Sequence, residues 1–201
     1  MRNLFLILFA VLLLSACSRK NDYEAVFKNP ELYSKTVGLL TDVITHDIFT
    51  PPVASRVYAY SHLAAYEVMT TNSKQYKSLS EKLNGFDKLE LPEKPINTEL
   101  SSILAFLYVG QELTFSKDST QKIIDDYLEL AKSHQMPAEL IDNSDKYAIK
   151  VSNAVLAWSK KDHYKETRSA VKYTVNDNEG RWVPTPPAYM PAVEPKWNEI
   201  R

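Results

Sequence analysis

An all-α fold, a helical bundle of about five helices followed by an extended Pro-rich strap, is predicted by three features of the 201-residue chain. Five stretches between residues 30 and 162 carry apolar side chains at the three- and four-residue spacing of a helix face. No stretch alternates convincingly between apolar and polar at period two, as a half-buried strand would. Near Tyr173 the composition breaks: the last 29 residues hold five of the eleven prolines, with Trp182, Tyr189 and Trp197 among them.

The chain opens with Met1-Arg2-Asn3, runs apolar from Leu4 to Leu14, and continues Ser15-Ala16-Cys17. A basic start, a short apolar run and small residues before a cut site make residues 1–16 a secretory signal peptide. As a helix the run reaches about 16 Å, against roughly 30 Å of hydrocarbon in a bilayer. Leu14-Ser15-Ala16-Cys17 resembles a bacterial lipobox, which implies cleavage before Cys17 and lipid on its thiol. Cys17 is the only cysteine, so an exported form makes no internal disulfide, and lipidation gives the thiol a use. Each buried methylene contributes about 0.8 kcal/mol, so two or more acyl chains hold the protein on a membrane where one would not. The expected location is the periplasmic side of a membrane. Ser18 after the cysteine fits sorting to the outer membrane.

Removing those 16 residues from 201 leaves 185, the size of one ordinary domain. Only Arg2 is lost from the charged residues, so 23 basic and 25 acidic side chains remain. That balance excludes a nucleic-acid footprint. Residues 17–29 are expected to be a polar, lipidated tether.

The helical domain is expected over residues 30–172. Leu32, Thr36, Leu39, Leu40 and Val43 form its first stripe. Pro51-Pro52 suits a helix start, and Val53, Val57, Tyr60, Ala64 and Val68 follow on one face. Asn97-Thr98 is a plausible cap for a third helix marked by Leu100, Leu104 and Leu107. Ile123, Tyr127, Leu130 and Ala131 mark a fourth, with Asp118 and Gln121 spaced as a capping box. After Pro137, Ile141, Ala148, Val151, Val155 and Trp158 mark the fifth.

Residues 173–201 hold too many prolines for continuous helix, and too many large rings for a solvated linker. They are expected to lie extended over a helical surface. Pro195 to Arg201 has the form of a further helix start, with Trp197 and Ile200 one turn apart. That ending suggests the N-terminal part of a longer protein.

The four histidines do not form a metal-ligand set. His62 lies near Glu67, but one histidine and one carboxylate fall short of the four ligands of structural zinc. His46-Asp47 precedes the Phe-Thr-Pro-Pro turn and could cap or orient it. His134 and His163 stand beside expected helix ends.

Two segments carry a family resemblance. Trp182-Val183-Pro184-Thr185-Pro186-Pro187-Ala188-Tyr189-Met190, followed by Glu194-Pro195-Lys196-Trp197-Asn198-Glu199-Ile200-Arg201, resembles bacterial members of the vanadium-dependent haloperoxidase and type 2 phosphatidic acid phosphatase (PAP2) superfamily. Pro51 to Tyr60, with Ala64-Ala65-Tyr66-Glu67, is similar to the first core helices of the same proteins. The resemblance implies an all-helical bundle around an oxyanion pocket that takes phosphate or vanadate. In such proteins a lysine, two arginines and a Ser-Gly-His turn surround the anion, and a further histidine attacks phosphorus or ligates vanadium. A highly charged oxyanion requires several fixed cations and donors of this kind.

The motifs that supply them are Lys-x6-Arg-Pro, Pro-Ser-Gly-His and Ser-Arg-x6-His. None occurs in this sequence. No catalytic residue and no metal ligand is therefore assigned. Arg56, Tyr60 and Glu67, on one face of the second helix, are candidates for bracing the entrance of such a pocket. The alternative for them is a structural contact or a solvated helix edge.

Two functions fit. One is the N-terminal part of a phosphatase or haloperoxidase whose catalytic half is missing, with vanadate as a cofactor of a full-length relative. Its substrate would be a phosphate ester, or halide and peroxide. The other is a non-catalytic, membrane-tethered helical lipoprotein acting as a binding or structural module.

Overall fold

The computed structural model describes residues 22–80, 82–176 and 178–201. Cys17 and the signal segment lie outside the described residues. Seven α-helices and no strand are found among the described residues. They are α1 (Tyr23–Phe27), α2 (Pro30–His46), α3 (Pro51–Thr70), α4 (Thr98–Leu113), α5 (Lys117–Ser133), α6 (Ala138–Ser159) and α7 (Tyr164–Ser169). A 3-10 turn, Trp197–Glu199, follows near the end. None of the helices is long and apolar enough to cross a membrane.

Helix α4 is the axis of the bundle. It packs most extensively against α3 and α6, with α5 and α2 completing its surroundings. Leu100, Ile103, Leu104, Ala105, Phe106, Leu107 and Val109 are all buried, so the helix has no solvent face along much of its length. A helix apolar all round belongs at the centre of a core. Its small residues let neighbours approach. Ser102 Oγ donates to Ala65 O of α3 at 3.0 Å, and Ser101 Oγ donates to Ser144 O of α6 at 2.8 Å. Gly110 leaves room for Leu40 of α2, whose methyl groups lie where a Cβ would stand, 2.8 Å from its ideal position.

Side-chain caps close two of the helix starts. Asn29 caps α2 by accepting from Glu31 N at 3.0 Å, with Pro30 at the first position. Asn97 caps α4, accepting from Leu100 N at 2.8 Å. The capping box expected at Asp118 and Gln121 does not form. Helix α5 begins at Lys117, which places Asp118 inside its first turn, and Gln121 pairs with Gln111 and Asp125.

The start of α5 is held from a distance instead. Asp47, just past α2, accepts from Phe115 N at 2.7 Å and Ser116 N at 3.1 Å, and Ser116 Oγ donates to it at 2.5 Å. Burial would raise this carboxyl, but these three donors together hold it below the usual carboxylate range. Asp47→Ala is expected to cost about 1–2 kcal/mol, as loss of a helix cap does. Amide exchange at Phe115 and Ser116 should then accelerate. Unchanged exchange would show that the clamp contributes nothing.

Two expectations are corrected. The tether does not extend to residue 29: Tyr23–Phe27 is helical, Phe27 is buried in the core, and Asp22 Oδ1 meets His134 Nδ1 at 2.7 Å. The strap is extended but uncovered in its middle. Trp182 is 44% exposed, Tyr189 62% and Met190 65%, because no described helix lies over that stretch. Only its ends are fixed. At the far end the chain makes the 3-10 turn in place of a further α-helix. The core lies between Phe27 and Val155, so a form beginning at Ser18 retains it.

Candidate functional site

The candidate residues of α3 meet a partner that sequence did not single out. Arg56 lies one turn into α3 and faces the C-terminal end of α6. Its Nε donates to Asp162 Oδ2 at 2.7 Å, and its Nη2 reaches Ser159 O at 3.3 Å. Tyr60, one turn on, donates its hydroxyl to the same Asp162 oxygen at 2.8 Å. The other carboxylate oxygen accepts from Tyr164 N at 2.9 Å, at the start of α7. The side chains of Arg56 and Asp162 are 10% and 2% exposed, so this is a largely desolvated ion pair.

Electrostatics follow from that geometry. Burial would raise the Asp162 carboxyl, but the Arg56, Tyr164 and Tyr60 donors outweigh it and hold it below the usual range. Burial and the Asp162 carboxylate together push the Tyr60 phenol up to about 12, so it stays a donor at neutral pH.

A second pair extends the cluster. The Tyr164 ring lies between two guanidinium groups, Arg56 at 4.3 Å and Arg168 at 4.6 Å from its centroid. Arg168 is itself paired with Glu194, near the end of the strap, and Thr50 Oγ1 donates to Glu194 at 3.2 Å. Arg201 closes the chain against α6. It donates to Trp158 O at 2.9 Å, stacks 3.7 Å from the Trp158 ring, and its backbone N–H reaches Asp162 O. Cations at the carbonyl end of α6 complement the helix dipole.

Glu67 is not part of this cluster. Eleven residues along a helix span about 16 Å, so Glu67 and Arg56 share a face but not a site. The buried Glu67 carboxylate accepts from Ser78 Oγ at 2.6 Å and Leu79 N at 2.8 Å, and so ties the loop after α3 to the bundle. Of the histidines, His62 pairs with Tyr33 and His134 with Asp22, while His163 begins α7 in the left-handed region. The structure therefore unites Arg56 and Tyr60 and leaves Glu67 and His62 in separate settings.

Two sizeable apolar cavities flank α3. One, about 450 Å³, lies beside Tyr60, Leu63, Trp158 and Arg201. The other, about 520 Å³, lies under the α1–α2 elbow beside Tyr33, His62 and Met69. Among the described residues no group of three or more His, Cys, Asp or Glu side chains could hold a metal ion. Three cations near the strap are already paired with carboxylates. Arg56 is engaged by Asp162, Arg168 by Glu194 and Lys196 by Glu199. The cluster is a brace between α3, α6, α7 and the strap.

No family model matches the chain, and no curated protein does. Among solved structures it is similar to a protein described as the first bacterial vanadium-dependent iodoperoxidase. The two share 39% identity and superpose with a TM-score of 0.78, over 86% of this chain and 42% of that one. The likeness supports a haloperoxidase-like relationship. The chain spans less than half the length of the protein it matches.

Proposed function

We propose that this chain is the N-terminal helical part of a vanadium-dependent haloperoxidase-like or PAP2-type lipoprotein, tethered at Cys17. In this reading it is a scaffold for an oxyanion pocket whose residues lie outside its sequence. The observation that carries the reading is the 39% identity to an iodoperoxidase of which the chain matches only 42%. Two facts agree with it: none of the three oxyanion-binding motifs is present, and Trp182, Tyr189 and Met190 of the strap are exposed. Arg56 and Tyr60 then brace the pocket from outside, through Asp162 and the strap. When bound in a completed protein, vanadate would supply activation of peroxide, and phosphate would be a substrate group. No step of either reaction is assigned to residues of this chain.

The first test is activity. Purified residues 18–201 with vanadate, peroxide and iodide, or with a phosphomonoester, are expected to show no turnover above blank. Turnover lost on removal of the protein would overturn the proposal. The DNA following codon 201 is a second, independent reading. A continuation encoding Lys-x6-Arg-Pro and Ser-Gly-His supports the scaffold, and unrelated sequence favours a membrane-tethered binding module. The uncovered rings of Trp182 and Tyr189 are what keep that module reading alive.

A further inference from the structure

The cavity under the α1–α2 elbow has no part in the brace. It lies further along α3, at the end where α2 begins, and its walls are fixed by local sequence. Asn29 and Pro30 set the turn between α1 and α2, and buried Phe27 anchors that turn in the core. Its volume, about 520 Å³, falls in the range of small-molecule sites, roughly 300–1,000 Å³. Aromatic and thioether side chains, Phe27, Tyr33, Tyr66 and Met69, supply much of the wall. Such walls suit an aromatic ligand through edge-to-face and sulfur contacts.

One polar pair lines this space. Tyr33 Oη and His62 Nδ1 are 2.9 Å apart. Burial raises the Tyr33 phenol, so its oxygen keeps the proton. A neutral phenol and a neutral imidazole carry two such protons and share one hydrogen bond, so the pair keeps one free donor, Nε2–H or the Tyr33 O–H. Burial lowers the His62 pKa, which favours this neutral form. The Phe106 ring, 5.0 Å away, holds the imidazole in place. At the rim, Lys28 is paired with Glu24 and Glu99 brings the opposite sign, so neither anions nor cations are selected.

We propose that this cavity binds a neutral aromatic molecule carrying one oxygen acceptor, with the oxygen on the free donor of the Tyr33–His62 pair and the ring among Phe27, Tyr66 and Met69. The probe is 2-acetylnaphthalene, an aryl ketone, against 2-isopropenylnaphthalene, which has the same shape without the oxygen. Each is titrated into residues 18–201 by calorimetry. One-to-one binding with preference for the ketone is expected. Tyr33→Phe and His62→Leu together should weaken the ketone about 3- to 10-fold, the value of one net hydrogen bond, and leave the hydrocarbon nearly unchanged. Met69→Trp, at an exposed position on the cavity wall, should abolish binding of both. Met69 is exposed, and the Tyr33 and His62 substitutions keep an apolar side chain at the cavity wall, so folding is expected to survive, which circular dichroism checks. Absence of binding overturns the proposal. So does binding that neither variant alters, which would place the probes on the exposed strap.

Discussion

Asp162→Ala is expected to destabilise the protein by about 3–5 kcal/mol, the usual consequence of removing one partner from a buried ion pair. The Asp162 side chain is 2% exposed and satisfies Arg56, Tyr60 and Tyr164 at once. Alanine leaves a largely desolvated guanidinium without its counter-charge and frees the start of α7. In a domain of this size the melting temperature should fall by roughly 6–20 °C. The pH dependence has a definite sign. A carboxyl held below its unfolded value near 4 stabilises the native state above that value, and the contribution disappears as pH falls through the folded pKa. Urea melts of parent and variant should therefore differ most at neutral pH and begin to converge as pH falls below about 4. A constant gap across that window would mean that Asp162 acts by packing and not by charge.

Phe106→Ala should be comparably severe, at about 3–5 kcal/mol. Phe106 is fully buried in α4, with Tyr33 and His62 rings 5.6 and 5.0 Å from its own. Truncation removes a large apolar group from an axis helix that touches most of the bundle, and neighbours on rigid helices cannot collapse into the space. The variant should also loosen His62, so its imidazole resonances should broaden or shift in NMR spectra. A melt coincident with the parent would mean that α4 is not the centre of the core.

How far the sequence carries depends on the range of the interactions. The α3 stripe Val53, Val57, Tyr60, Ala64 and Val68 is buried throughout, because helical period and apolarity coincide there. On α5 the stripe is displaced by one position. Thr120, Ile124, Tyr127 and Ala131 are the buried residues, while Ile123 and Leu130 flank them. The buried line there is partly polar, and Tyr127 Oη meets Thr36 Oγ1 at 2.6 Å, a pairing across 91 residues that no periodicity expresses. Asp162 was hidden for the same reason, with partners 106 and 102 residues away. Asp47 was visible as a helix-end residue, but it serves α5 and not the turn beside it. The strap was legible as an irregular aromatic segment. Its lack of cover was not, because exposure depends on which other elements are present to face it.

The excursion from Ala170 to Val193 is closed at its base by the Arg168–Glu194 pair and by the Tyr164–Trp197 ring contact, 6.4 Å between centroids. Its middle therefore contributes little to the stability of the bundle. Under selection for folding alone, Trp182, Tyr189 and Met190 would be free to drift toward smaller polar residues that cost nothing in water. The packing of the bundle therefore does not account for these three large apolar side chains. Under the scaffold reading proposed above, the loop would be the place where a covering surface acts on the sequence.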